Sequence, residues 1–250
     1  MSYRVYARAS FVAGLIFITG CATSQKPARS GVAEAKRTTK IMVELQPLPE
    51  TAIKEGETNS LPPLEGEGWQ AMFDGKTLKG WRETEFAGRS EVQCKPGVVV
   101  LKMGDPFTGI NWTNDFPKIN YEIALDAMRV SGSDFFCGLT VPVGDAFCSL
   151  IVGGWGGSVV GISSLDGMDA SENETSKFMN FDNGRWYRIR LRVTGKKIQA
   201  WIDKEKMVDV ETAGKRIAVR AGDIEMSKPF GLSAWEATAA FREMKFRMLK

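Results

Sequence analysis

The sequence predicts an all-β protein, a sandwich or a barrel, for the part of the chain that begins near Trp69. Three observations favour this fold class. Short segments in which apolar and polar residues alternate recur along the chain, turn-forming residues separate them, and no sustained helical period appears. About 180 residues remain from that point, enough for one hydrophobic core. We therefore expect one β-rich domain over residues 67–250.

Most of the predicted strands are short apolar or alternating runs. Residues 98–101 are apolar throughout, and residues 121–126 alternate. Residues 135–141 and 146–152 flank a turn-forming stretch, Pro142 to Asp145, and together indicate a hairpin. Further strands are predicted at residues 158–164 and 241–248.

The clearest prediction is a hairpin of residues 188–193 and 198–203 around a two-residue loop, Gly195 and Lys196. Glycine in the first loop position suits a type II′ turn. The register places three apolar pairs on the core face: Val193 with Ile198, Leu191 with Ala200, and Ile189 with Ile202. On the other face it pairs Arg190 with Trp201, and Arg188 with Asp203. A cation–π pair and an ion pair of this kind are worth about 0.5–1 kcal/mol each.

The composition excludes several kinds of chemistry. The chain has no histidine, so Ser-His-Asp and Cys-His catalysis, histidine-ligated zinc and histidine pH switches are all excluded. The net charge of +3 falls to +1 if Arg4 and Arg8 are removed with a signal peptide, and a near-neutral chain gives no electrostatic case for a nucleic-acid partner. Any catalysis must therefore use carboxylates, Tyr, Lys, Cys or a hard metal ion.

Residues 1–20 have the pattern of an export signal. Arg4 and Arg8 precede an apolar run at 11–18 that is too short to span a bilayer permanently. The run ends in Ile-Thr-Gly-Cys, which resembles a bacterial lipobox, and we expect Cys21 to be the lipidated first residue of the mature protein. The alternative is an ordinary secretory signal with an incidental cysteine.

The predicted location is the bacterial cell envelope, with the lipid bilayer as a partner through Cys21. Ala22 stands where an aspartate would signal retention in the inner membrane, so the outer membrane is favoured over the inner one. Residues 21–66 are polar, contain several prolines and lack a sustained apolar period. We interpret them as the lipidated cysteine and a flexible tether.

One motif points to a known family. The sequence FDGKTLKGW at residues 73–81 resembles F-D-G-x-x-L-x-G-W, the opening motif of the 3-keto-disaccharide hydrolase domain family. The strands at 121–123, 201–203 and 241–244 also resemble segments of that family. The resemblance covers Trp69 to Leu249. It implies a concanavalin A-like jelly roll related in fold to glycoside hydrolase family 16, a hydrolase activity on glycosidic bonds and a carbohydrate ligand.

The middle of the domain departs from the family pattern. Residues 132–137 stand where the family has an N-S-G segment, and residues 148–152 contain neither the Glu nor the Gln of its G-Y-E-x-Q strand. Apolar or small residues thus replace polar groups expected on the concave face. This departure supports a second hypothesis, a non-catalytic carbohydrate-binding or envelope-interaction module on the same fold.

Carboxylates are the candidate catalytic groups. The E-x-D-x-x-E pattern of family 16 glycosidases is absent, so the candidates are Asp134, Asp145 and three residues of an acidic segment: Asp166, Asp169 and Glu172. That segment has two alternative interpretations: a solvated loop, or a Ca²⁺ site formed by the same three side chains, without the EF-hand spacing. Ca²⁺ is the one cofactor that the sequence suggests.

Three tryptophans and two further carboxylates are candidate ligand-binding residues. Trp155 lies among four glycines, which would leave its indole free to stack on a sugar ring or place it at a bend of the core. Trp112 and Trp235 are the other aromatic candidates. Glu122 and Asp126 share a strand face roughly 13 Å apart, too far for direct glycosidase catalysis, and a solvated face is the simpler interpretation.

Three cysteines remain after Cys21. Cys137 and Cys148 fall on the same face of adjacent predicted strands, so a disulfide and two buried free thiols are equal alternatives. Cys94 is left over in either case. Thiolate catalysis is not expected, because the chain has no histidine to activate a cysteine.

Overall fold

The computed structural model describes residues 61–250, which form two packed antiparallel sheets. In chain order the strands are β1 (Gln70–Ala71), β2 (Trp81–Glu83), β3 (Val92–Lys95), β4 (Val98–Leu101), β5 (Phe107–Trp112), β6 (Tyr121–Gly132), β7 (Cys137–Val143) and β8 (Ala146–Gly154). They continue with β9 (Val159–Ser163), β10 (Lys177–Phe178), β11 (Trp186–Val193), β12 (Lys197–Ile202), β13 (Glu205–Glu211), β14 (Gly231–Trp235) and β15 (Ala237–Met248). A short 3₁₀ helix, Asp223–Ser227, precedes β14.

The two sheets interleave distant parts of the chain. The eight-stranded sheet has the order β13-β12-β11-β6-β15-β4-β3, with β1 paired to β15, and the seven-stranded sheet has the order β10-β9-β8-β7-β14-β5-β2. All of their pairings are antiparallel, and they join strands far apart in sequence, such as β6 with β15. The predicted all-β jelly-roll sandwich is confirmed.

The main core lies between the sheets and follows from strand alternation. Ile123 and Leu125 of β6, and Leu139 and Val141 of β7, point into it and are at most 1% exposed. Alternate residues of the same strands point outward, as the two-residue period of a strand requires. The sandwich therefore has two outer faces, one on each sheet.

The structure confirms the register of the β11–β12 hairpin and corrects two of its details. Val193, Leu191 and Ile189 lie opposite Ile198, Ala200 and Ile202, and the Arg190 guanidinium lies 4.6 Å from the centre of the Trp201 ring. The type II′ turn is wrong, because Gly195 does not have the positive φ that this turn requires. Instead the Thr194 hydroxyl accepts hydrogen bonds from the N–H groups of Lys196 and Lys197, which closes the loop.

The predicted ion pair between Arg188 and Asp203 is also wrong. Asp203 accepts a hydrogen bond from the backbone N–H of Arg188, but its side-chain ion pair is with Arg185, at 2.7 Å. The Arg188 guanidinium pairs with Asp126 on the neighbouring strand β6. Asp126 lies directly opposite Arg188 on β6, which adjoins β11 in the sheet but is distant from it in the sequence.

The outer face of the eight-stranded sheet carries five arginines around two buried carboxylates, and we call it the arginine face. The Glu122 side chain is 0% exposed and is contacted by Arg190, Arg192 and Arg247. The Asp126 side chain is 2% exposed and is contacted by Arg188 and Arg242. The solvated face expected for Glu122 and Asp126 is therefore wrong, because arginine side chains from the flanking strands cover both groups. Five arginines belong to this face: Arg188, Arg190, Arg192, Arg242 and Arg247.

The first described residues lie against the arginine face. Leu61 packs on an apolar cluster that includes Val100 and Trp186, and Arg188 donates a hydrogen bond to the carbonyl of Pro62. The predicted signal peptide, Cys21 and most of the predicted tether lie outside the described residues, and they stay predictions. No helix within residues 61–250 is long and apolar enough to cross a membrane.

The cysteines of the core are free thiols rather than a disulfide. Cys137 lies opposite Val152, and Cys148 opposite Val141, so the two sulfurs are not on directly opposed residues. Both residues are buried, and burial raises the pKa of Cys148 to about 12 and that of Cys137 well above its usual range.

We therefore expect Cys137 and Cys148 to resist alkylation in the folded protein. A thiolate is the reacting species, and both its formation and its access to the reagent are suppressed by burial. Peptide mass spectrometry after iodoacetamide treatment at pH 8 should find both residues unmodified, and both modified once guanidinium is added. Rapid modification of either residue in the folded state would contradict the burial.

Candidate functional site

A groove of about 480 Å³ lies on the outer face of the seven-stranded sheet, opposite the arginine face. Its apolar lining comes from side chains that alternate with core residues of β5, β8 and β14, together with loop residues beside them. The apolar members are Phe107, Phe135, Ile151, Trp155, Ile224 and Trp235. The volume falls within the range of small-molecule sites, roughly 300–1,000 Å³.

Trp155 is presented to the groove by a glycine-rich turn at the end of β8. Its backbone has a φ of 51°, in the left-handed region, and Gly156 and Gly157 that follow also have positive φ. The turn is closed by the N–H of Ser158, which donates to the carbonyl of Gly154. The indole is 40% exposed, so the turn holds a large aromatic surface at the edge of the groove.

Asp134 fixes this turn from the neighbouring loop. One carboxylate oxygen accepts a hydrogen bond from the N–H of Phe135, at 2.7 Å, and the other accepts from the N–H of Gly156, at 2.9 Å. Asp134 also lines the groove. Each carboxylate oxygen thus accepts a hydrogen bond from a backbone N–H group. Because these groups belong to Phe135 and to the residue after Trp155, the carboxylate positions both aromatic side chains.

Arg129 supports the same turn from inside the sandwich. It is 7% exposed and donates to the carbonyls of Gly157 and Phe181, to that of Asp134, and to the side chain of Asn183. Burial lowers the pKa of Arg129, while nearby acidic groups such as Asp134 oppose that shift. This buried guanidinium joins the three loops at the groove end of the domain.

Replacement of Arg129 by methionine should lower the free energy of unfolding by about 2 kcal/mol, because buried acceptors lose their donor. The effect should be measured by urea denaturation of the purified protein. Arg220→Met, on an exposed arginine of the groove wall, is the matched control and should leave stability nearly unchanged. If the two variants were equally stable, the hydrogen bonds by which Arg129 joins the three loops would not contribute to the stability of the domain.

Charged groups form another part of the groove lining, and we call them the charged wall. Arg220 lies 3.3 Å from Asp169, and Asp169 accepts a hydrogen bond from the Ser163 hydroxyl. Arg220 and Ser163 line the groove, as does Asp223 at the start of the 3₁₀ helix. The site thus combines an aromatic edge with a polar wall.

The small polar residues beyond the groove on the same sheet face are already hydrogen-bonded. Thr140 and Ser149 are 2.8 Å apart, and Ser233 donates to the carbonyl of Gly138. All three side chains are fully buried. These three side chains therefore stabilise the sheet face, and we expect ligand contacts to come from the groove residues instead.

The structure brings some of the predicted site residues together. Asp134, Trp155 and Trp235 line the groove, and Asp169 lies behind it through its contacts with Arg220 and Ser163. Asp166 is outside the lining and is held by Lys215 and by the N–H of Arg216. Glu172 is exposed and is also outside the lining.

Four other predicted residues lie elsewhere. Asp145 is at the far end of the β7–β8 hairpin, where the hydrogen bond and charge of Lys118 lower its pKa. Trp112 packs on Trp81 at the edge of the core, with ring centres 5.2 Å apart. Glu122 and Asp126 belong to the arginine face. Ligand-binding or catalytic roles for these four stay predictions without support from the groove.

The Ca²⁺ interpretation of the acidic segment also lacks a structural basis. Lys215 and Arg220 contact Asp166 and Asp169, and cations in those positions oppose a bound metal ion. Within residues 61–250, no group of three or more Cys, Asp or Glu side chains is arranged to hold a metal ion.

Sequence reasoning missed Arg220, Asp223 and the buried aromatics of the groove. Arg220 and Asp223 lie about 50 residues or more from the other polar lining residues, on a segment whose composition carries no motif. Phe107 and Phe135 look like ordinary core residues in a strand pattern. The one usable signal was the Asp-Phe-Phe sequence at 134–136, where adjacent aromatics must point to opposite faces.

The profile of the 3-keto-alpha-glucoside-1,2-lyase-like domain family matches residues 68–247. The curated proteins contain no significant match. Among solved structures, the Crh5 transglycosylase in complex with NAG has a TM-score of 0.50 at 10% identity, covering 78% of this chain and 90% of that one.

Two further structures are similar at lower scores. Domain 4 of AbnA, a GH43 extracellular arabinanase from Geobacillus stearothermophilus in complex with arabinotriose, has a TM-score of 0.45 at 13% identity and covers 67% of this chain and 82% of that one. The carbohydrate-binding module CBM66 from Bacillus subtilis has a TM-score of 0.43 at 12% identity and covers 67% and 95%. The profile match spans most of the chain and agrees with the motif at residues 73–81. The chain therefore belongs to the 3-keto-alpha-glucoside-1,2-lyase-like domain family.

Proposed function

We propose that this domain binds a carbohydrate in the groove on the seven-stranded sheet. The observation that carries the proposal is the exposed indole of Trp155, which lines a groove together with apolar side chains and the charged residues Arg220 and Asp223. Sugars present an apolar face of C–H groups and a rim of hydroxyls, and an aromatic ring beside polar side chains matches both. The chain also belongs to a family whose description names a reaction of glucosides, and this membership supports a carbohydrate ligand.

The contacts of the groove favour binding over catalysis. Asp134 holds two backbone N–H groups, and Asp169 is paired with Arg220, so neither carboxylate is placed as a free acid or base. Glycosidases use two carboxyl groups that flank the bond to be broken. Asp223 is exposed on the groove wall and is the remaining candidate.

Cleavage of a glycosidic bond is the second candidate function, and family membership favours it. In this case Asp223 is the residue that would accept or donate a proton. The residues of the central strands do not add a second carboxylate to the groove.

Calorimetric titration with glucose-containing disaccharides, in ordinary and 3-keto forms, tests both candidates. Binding that leaves the ligand intact, and that Trp155→Asn weakens by about thirtyfold, supports a binding module. Turnover that is lost in Asp223→Asn, with binding retained, supports an enzyme. Absence of binding to every sugar of the panel would contradict both.

We further propose that the domain is anchored in the bacterial cell envelope through lipidated Cys21, with the outer membrane as the destination. The support is the lipobox-like sequence and the position of the cysteine after the apolar run. Mass spectrometry of the mature N-terminus should find Cys21 as the first residue, carrying lipid. An unmodified cysteine, or cleavage at another position, would contradict the anchor.

A further inference from the structure

The groove has an apolar floor and a polar rim. Four side chains that are at most 8% exposed form the floor: Phe107, Phe135, Ile151 and Ile224. The polar lining residues Asp134, Arg220 and Asp223 are more exposed and stand around it, while the buried Ser163 hydroxyl is engaged with Asp169. The apolar side chains therefore lie deeper in the groove than the charged ones.

A sugar ring does not suit this floor. Hydroxyl groups project around the whole circumference of a pyranose, and a buried hydroxyl without a hydrogen-bond partner is unfavourable. The floor side chains carry neither donor nor acceptor, and the backbone groups of β5 are paired with β14 and β2. The sugar is better placed at the rim, beside Trp155 and the charged wall.

The floor suits a second, apolar ring. Phe107 packs edge-on against Trp235, with ring centres 4.5 Å apart, and tilts against Phe135 at 6.0 Å. One face of Phe107 is covered by Phe86, with ring centres 4.7 Å apart, so a further ring would pack on the remaining surfaces of this aromatic cluster. The groove volume of about 480 Å³ is roughly three times the cavity of about 150 Å³ that can hold benzene, so a ring and a sugar fit together.

The charges of the rim restrict the ligand further. Asp134, Asp169 and Asp223 contribute three negative charges at the groove, against two positive charges, that of Arg220 beside Asp169 and that of the buried Arg129 near Asp134. A ligand carrying a carboxylate or sulfate would meet this negative rim. An uncharged ligand experiences no such electrostatic repulsion.

We propose that the ligand of this groove is an uncharged glycoside with an aryl aglycone, whose aromatic ring occupies the floor while the sugar lies at the rim against Trp155. This inference rests on the proposed carbohydrate-binding function and names the ligand class. The floor would then select glycosides by the chemical nature of the aglycone.

The test compares two ligands that differ in the aglycone alone. Phenyl and methyl α-glucosides, each in ordinary and 3-keto form, are titrated calorimetrically into the full mature protein, with phenol as a third ligand. We expect the phenyl glucoside to bind at least tenfold more tightly than its methyl counterpart, and phenol alone to bind far more weakly. No variant is needed for this comparison.

A variant of the floor provides a second measurement. Ile151→Asn places an amide in the floor, and it should weaken binding of the phenyl glucoside about tenfold more than binding of the methyl glucoside. Circular dichroism confirms that the variant is folded. Val143→Asn, on the main core at the other end of β7, controls for general destabilisation.

The outcomes separate the inference from the proposed function. Equal affinities for phenyl and methyl glucosides would overturn the inference and leave carbohydrate binding in place. Phenol binding as tight as the phenyl glucoside, or no binding of any glucoside, would overturn the carbohydrate-binding function itself.

Discussion

Replacement of Glu122 by glutamine should lower the free energy of unfolding by about 3–5 kcal/mol, the largest stability effect that we expect from a single change. The Glu122 side chain is 0% exposed, and the guanidinium groups of Arg190, Arg192 and Arg247 lie within 3.3 Å of its oxygens. Glutamine keeps the shape of the side chain but removes the charge. Three partly buried cations would then face one another without the anion between them.

Urea denaturation followed by tryptophan fluorescence measures this effect. The matched control is Asp209→Asn, because Asp209 also contacts two cations, Lys197 and Lys206, but at the surface. Exposed ion pairs contribute little to stability, so the control should be close to the wild type. If Glu122→Gln were as stable as Asp209→Asn, the arginine face would not depend on its buried anion.

Replacement of Trp155 by asparagine should weaken carbohydrate binding by about thirtyfold, or roughly 2 kcal/mol, which is typical of a lost aromatic stacking surface. Asparagine tolerates the left-handed backbone at this position, where φ is 51°, so the turn should keep its conformation. Asp134 accepts a hydrogen bond from the N–H of Gly156, and Arg129 donates one to the carbonyl of Gly157; both bonds use backbone atoms of the turn and persist in the variant. The change therefore removes the indole and little else.

Phe178→Asn is the control for Trp155→Asn. Phe178 is 74% exposed on β10 and is not among the groove residues, so its loss removes an exposed aromatic ring without touching the site. Both variants are titrated with the ligand that binds the wild type most tightly. A similar loss of affinity in the two variants would show that Trp155 does not make the specific contact that we assign to it.

The parts of the fold that sequence reasoning predicted are those governed by local patterns. The register of β11 with β12 followed from alternation and a two-residue loop, and it was confirmed pair by pair. The glycines around Trp155 left an exposed indole and a core position as alternatives, and the structure has the indole 40% exposed at the groove. Both features depend on residues that are close together in the sequence.

The features that were missed depend on distant residues. Glu122 is bound by arginines 68, 70 and 125 positions away, so a buried carboxylate looked like part of a solvated strand face. Arg220 reaches Asp169 across a separate loop, and Arg129 joins loops around residues 134, 157 and 181. Strand pairing order decides these contacts, and a single sequence does not reveal that order.

The tryptophan side chains allow one direct measurement of where a ligand binds. The chain contains seven tryptophans, and each gives one indole N–H signal in a ¹H–¹⁵N correlation spectrum. Trp155 and Trp235 report on the groove, Trp69, Trp186 and Trp201 on the arginine face, and Trp81 and Trp112 on the edge of the core. Titration with a phenyl glucoside should shift the signals of Trp155 and Trp235 and leave the other five in place. Shifts confined to Trp69 and Trp201, or seven unchanged signals, would contradict a carbohydrate site in the groove.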